Sequence, residues 1–71
     1  MATSIPVKLG RKIQALREKN GMTQHILADS AGIGRAHLSQ IENGAVAARI
    51  DTLHAIAQTL GIRLSDLFRD I

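Results

Sequence analysis

Apolar residues in this chain recur three and four positions apart, the period of a helix, and no stretch keeps up the two-residue alternation of a half-buried strand. Leu9, Ile13 and Leu16 form one stripe; Leu27, Ala28 and Ala31 form a second; Leu38 and Ile41 form a third; Leu53, Ile56, Ala57 and Leu60 form a fourth. Leu67 and Phe68 mark a short fifth. The residues between the stripes are those that start and stop helices. Pro6 suits the first turn of helix 1, and Gly21 closes that helix near Asn20. Thr23 is a good N-cap for a helix over 24–31, and Gly32 lets the chain reverse because glycine reaches positive φ without strain. Ile33 then plugs the corner, and a third helix runs over about 35–43, ending at Asn43 and Gly44, both of which tolerate a left-handed turn. Helix 4 stops at Gly61, and Ser65 is the expected N-cap of helix 5. The pattern predicts an all-α fold of five short helices.

Size and composition narrow the class. A chain of 71 residues without linker composition is expected to form one domain over 1–71, with 1–5 as a flexible N-terminus. Hydrophobic residues make up 45% of it, yet Phe68 is the single aromatic, so the core must be Leu, Ile, Val and Ala. Cysteine is absent, which removes disulfides and thiolate metal sites and makes a reducing cytoplasm the simplest setting. No apolar run approaches the ~18 residues of a membrane span, and MATSIP lacks the basic start and apolar stretch of a secretion signal. The net charge of +3 is unevenly spread. Residues 1–50 hold seven basic against three acidic side chains, a balance of +4, whereas 51–71 hold two against three.

The basic part contains the segment with the clearest chemistry, MTQHILADSAGIGRAHLSQIENG over 22–44. Two short helices joined by a glycine turn have the form of a helix-turn-helix. Only Leu38 and Ile41 are apolar at core spacing in its second helix, so Arg35, Ala36, Ser39 and Gln40 are left off the core face, with His37 at its margin. A protruding polar helix beside positive charge suits the major groove of duplex DNA. Enzyme chemistry is not indicated. His25, His37 and His54 lack metal-ligand spacing, and there is no phosphate-cradling glycine loop or nucleophile motif, so no metal, cofactor or small-molecule ligand is expected.

At these residues the chain resembles the Cro/CI-type (XRE-type) helix-turn-helix family. The matching elements are Leu16-Arg17, Gly21, Thr23-Gln24, Leu27-Ala28, Gly32, Ile41-Glu42-Asn43-Gly44 and Thr52-Leu53, followed by Ala57, Leu60-Gly61 and Leu67-Phe68. Each is weak alone, but their order and spacing across about nine tenths of the chain are specific. The resemblance implies a lambda-repressor-like five-helix DNA-binding domain with its helix-turn-helix at helices 2 and 3. It implies base reading by Arg35, Ala36, His37, Ser39 and Gln40, and phosphate contacts from Thr23, Gln24, Asn43 and Arg49. Arginine can grip guanine N7 and O6, glutamine can grip adenine, and the Ala36 methyl can meet a thymine methyl. It further implies a partly buried structural ion pair between Arg17 and Glu42.

This chain departs from the family pattern in three places, one of them Ile26, at a position usually charged. Gly34 stands where relatives carry Ser or Thr, and Ala45-Val46-Ala47-Ala48-Arg49 replaces a loop that usually holds more basic residues and a Pro-Ser pair. Family members usually act as dimers, which would set two reading helices about 34 Å apart on successive major grooves. Leu64, Leu67, Phe68 and Ile71 are the expected dimer contacts. The function so implied is that of a bacterial or phage transcriptional regulator binding an inverted-repeat operator as a homodimer, cytoplasmic and nucleoid-associated. Activation would add an RNA polymerase contact. The small size also fits restriction-modification controller proteins, whose pattern after helix 2 matches Arg35-Ala36-His37-Leu38-Ser39. A protein-interaction module on the same fold, an antitoxin or a transcription coactivator, remains the alternative.

Overall fold

In a computed structural model, which describes residues 4–71, the first helix starts where the Ser4 hydroxyl accepts the Val7 N–H at 3.4 Å, with Pro6 in the first turn. That helix, α1, spans Ile5–Lys19. It is followed by α2 (Gln24–Ala31), α3 (Arg35–Glu42), α4 (Ile50–Leu60) and α5 (Leu64–Leu67). Among the described residues all regular structure is helical. Of the stretch expected to be a flexible N-terminus, residues 1–3 lie outside the described part, while Ser4 and Ile5 form the cap and first residue of α1.

Each helix sends one large, fully enclosed side chain to a common centre: Ile13, Leu27, Leu38, Ile56 and Leu67. Each contributes roughly 1.5–3 kcal/mol of hydrophobic stabilisation. Around them pack Leu9, Ala28, Ile41, Leu53, Ala57 and Leu60, so the apolar spacing in the sequence marked the inward faces correctly. Leu16 and Ala31 sit half-buried at the edge of this core. Packing is closest between α2 and α4 and between α1 and α3.

The α1–α3 approach depends on a residue that the periodicity does not single out. Gly10 is buried in the middle of α1, where a β-carbon would overlap the Ile41 carbonyl oxygen and lie 2.6 Å from that of Glu42. Gly44 is constrained twice. It carries the left-handed turn after α3 at φ +71°, and a β-carbon there would sit 2.6 Å from Val7 Cγ2. Asn43, expected to share that turn, keeps right-handed helical backbone instead.

Helix 5 differs from expectation at both ends. Its N-cap is Arg63 rather than Ser65, because Asp66 Oδ2 reaches back to accept the Arg63 N–H at 3.0 Å. Phe68 forms the C-cap and stands outside the helix. Lys12 holds this end in place: its Nζ donates to the carbonyl oxygens of Asp66 at 2.6 Å and Arg69 at 2.7 Å. Cations are favoured at a helix C-terminus, where carbonyls lack intrahelical partners.

Candidate nucleic-acid interface

The two helices of the 22–44 segment are set by local bonds. Thr23 Oγ1 accepts the Ile26 N–H at 3.1 Å and starts α2. At the other end Gly32 adopts φ +74°, and the Ile33 N–H returns to the Ala28 carbonyl at 3.0 Å. The chain turns there and enters α3 through Gly34, which supplies extended backbone but no side-chain cap.

Seating α3 by Leu38, Ile41 and Glu42 leaves Arg35, Ala36, His37 and Gln40 exposed and Ser39 half-buried. At 3.6 residues per turn, Ala36 and Gln40 lie one above the other at the outer crest. Arg35 and Ser39 fall on one flank and His37 on the other. Arg35 has no ion-pair or hydrogen-bond partner among the described residues and is free to meet an acceptor.

At the inner side of α3 lies a buried polar network. Arg17 Nε donates to Glu42 Oε2 at 2.7 Å and its second terminal nitrogen donates to Oε1 at 3.1 Å, a two-pronged contact. The remaining terminal nitrogen donates to the Met22 carbonyl at 2.8 Å, and Gln24 Nε2 donates to Glu42 Oε1 at 3.0 Å. The side chains of Arg17 and Glu42 are 10% and 1% exposed. The guanidinium pKa is raised, chiefly by the hydrogen bond to Glu42, against which burial works; the charges of Glu42 and Glu18 add to the rise. The network engages all three guanidinium nitrogens of Arg17 and pins the end of α1 and the start of α2 to the last residue of α3.

Thr23, Gln24 and Arg35 line one open cleft of about 450 Å³ with Arg17 and His25. The cleft joins the expected phosphate contacts at the start of α2 to the expected base reader at the start of α3. Gln24 keeps one amide N–H beyond its bond to Glu42, and the Thr23 hydroxyl can donate while accepting its cap bond. His25 also lines this cleft and is not among the residues expected at the site. The available signal was its place in the first turn of α2, next to Gln24. Asn43 and Arg49 lie outside the cleft, both exposed, with Arg49 at the N-cap of α4.

The expected dimer contacts separate. Leu67 is fully enclosed by its own chain and belongs to the core, so it offers no surface to a partner. Leu64 and Ile71 are half-buried, and Phe68 is 38% exposed. Two isoleucines not expected there are more open: Ile5 at 60% and Ile50 at 61%. With Phe68 they border an apolar groove of about 210 Å³ between the start of α1 and the start of α4.

Among the described residues, no group of three or more His, Asp or Glu is placed to hold a metal ion, and no helix is long and apolar enough to cross a membrane. The helix-turn-helix family HTH_3 matches this chain over residues 13–67. The control protein C.MunI of a Mycoplasma species is 38% identical over 68 residues, covering 94% of this chain and 92% of that protein. The crystal structure of the restriction-modification controller protein C.AhdI from Aeromonas hydrophila superposes with a TM-score of 0.87 at 28% identity, covering 89% of this chain and 96% of that one. SinR, a master regulator for biofilm formation solved in complex with DNA, superposes with a TM-score of 0.80 at 26% identity, covering 84% and 97%.

Proposed function

Because this chain belongs to the HTH_3 helix-turn-helix family, we propose that it is a transcriptional regulator that binds duplex DNA by placing α3 in the major groove. The observation that carries this reading is the outer face of α3. Arg35, Ala36 and Gln40 are exposed on a helix whose inner face is locked by Leu38, Ile41 and the Glu42 network. Arg35 and Gln40 read base edges, Ala36 gives an apolar contact, and His37 and Ser39 reach bases or phosphates from the flanks. Thr23 and Gln24 hold one phosphate strand from the cleft, with Asn43 and Arg49 beyond the far end of α3. One protomer covers half a site. The regulator acts as a homodimer on an inverted repeat, joined through the apolar surface of Ile5, Ile50, Leu64 and Phe68 rather than through Leu67. Its likeness to C.MunI and C.AhdI favours a restriction-modification controller, acting on the nucleoid in the cytoplasm.

Selection of bound sequences from a random duplex library tests the reading, repeated with Arg35→Ala and Gln40→Ala. Each substitution should relax preference at one or two base pairs per half-site, by roughly 1–3 kcal/mol for a lost two-bond contact. An unchanged selected motif overturns the assignment. Duplex affinity should also fall log-linearly with salt, and absence of duplex binding at low salt would point to a protein partner instead.

A further inference from the structure

We propose that Asp51 is a built-in competitor for the phosphate that Arg49 would hold, keeping the affinity of this chain for duplex DNA below what its cations permit. The inference rests on the DNA-binding reading above. Between α3 and α4, residues 43–49 contain a single charged side chain, Arg49. It stands at the N-cap of α4, where no side-chain cap bond is made. That position favours a short acceptor, and the positive end of the helix disfavours a cation. A locally unfavourable residue in an exposed loop beside the reading helix is the kind of exception that function explains.

The adjacent carboxylate changes what that cation can do. Asp51 Oδ1 accepts the Thr52 N–H at 3.0 Å, which holds the carboxylate in place, and the same oxygen lies 3.4 Å from Arg49 Nε. Both side chains are open to solvent, Arg49 at 84% and Asp51 at 70%. An ion pair so exposed adds little to stability. Its larger effect is on the potential met by an approaching phosphate, which must displace the carboxylate from the guanidinium and then share space with its negative charge. Arg35 is exposed without such a counter-charge, so these two exposed arginines are unequal by construction.

Asp51→Asn keeps the side-chain shape and an oxygen for the Thr52 N–H while removing the charge. One unit charge about 7 Å from a phosphate in water changes affinity by about threefold at low salt, hence up to about tenfold for two protomers on one operator, and by about twofold in all at ~0.15 M salt, where screening applies. The slope of log affinity against log salt should steepen by up to ~0.9 for each additional phosphate that the variant neutralises. The experiment measures fluorescence anisotropy of a labelled duplex recovered by the selection above, across a salt series, with wild type, Asp51→Asn, Arg49→Ala and the double variant; thermal unfolding checks that each is folded. The proposal predicts tighter binding and a steeper slope for Asp51→Asn, with the increase abolished when Arg49 is alanine. Unchanged affinity overturns it, and so does an increase that persists without Arg49, since Asp51 would then act on DNA directly. Failure of the wild type to bind any duplex overturns instead the reading on which it rests.

Discussion

Replacing Glu42 by alanine removes the acceptor of three hydrogen bonds, two from Arg17 and one from Gln24, at a site where the carboxylate side chain is 1% exposed. The guanidinium left behind keeps the Met22 carbonyl as a partner but loses its counter-charge, and a charge stranded in this way costs about 3–5 kcal/mol. A domain of 71 residues is stable by roughly 4–10 kcal/mol in all, so a large share of that would be lost. At about 4–8 °C per kcal/mol for a domain of this size, the melting temperature followed by far-UV circular dichroism should fall by at least about 12 °C. Arg17→Ala should act alike, loosening the fold before it alters sequence preference. Replacing both partners with apolar residues, Arg17→Met with Glu42→Leu, should restore much of the loss, since neither charge then remains unpaired. A folded-state pKa raised as for Arg17 adds stability that persists below the unfolded value and disappears only as pH rises through the folded one. For arginine that window lies above working pH, so alkaline titration within the ordinary range should not release the pair through Arg17. A single variant melting within about 4 °C of wild type would refute a closed network. So would an Arg17→Ala protein of native stability that binds DNA weakly, because Arg17 would then be a ligand and not a brace.

Four further outcomes follow from the packing and the helix caps. Gly10→Ala should destabilise by about 1–3 kcal/mol or more through overlap with the α3 carbonyls, despite alanine's better helix propensity. Gly34→Ser, in open space with extended backbone, should gain a few tenths of a kcal/mol from a proper cap; denaturant titration separates the two. In sedimentation equilibrium, Ile50→Glu should weaken self-association while leaving the melting of the isolated protomer nearly unchanged, because Ile50 is 61% exposed. Leu67→Ala, inside the core, should instead lower stability by about 2–5 kcal/mol. The reverse pattern would return Leu67 to the interface.

Helix number, type and inward faces were legible in the residues because these are local properties: apolar spacing, the Thr23 cap and the glycines at 32 and 61 act over three or four positions. Exposure of Arg35, Ala36 and Gln40 followed from the same spacing once Leu38 and Ile41 were assigned inward. The pairing of Arg17 with Glu42 is not local, since 25 residues separate them, and among sequence signals only the family resemblance implies it. What the chain could not reveal alone depended on how helices meet. Gly10 matters only because α3 lies against it, and Arg63 outranks Ser65 as a cap only because Asp66 folds back at 3.0 Å. Leu67 and Phe68, adjacent and both apolar, part company because α5 docks with one facing the centre while the other ends the helix at the surface. Periodicity specifies which residues share a face, but the direction in which a four-residue helix turns that face is decided by the surfaces it packs against.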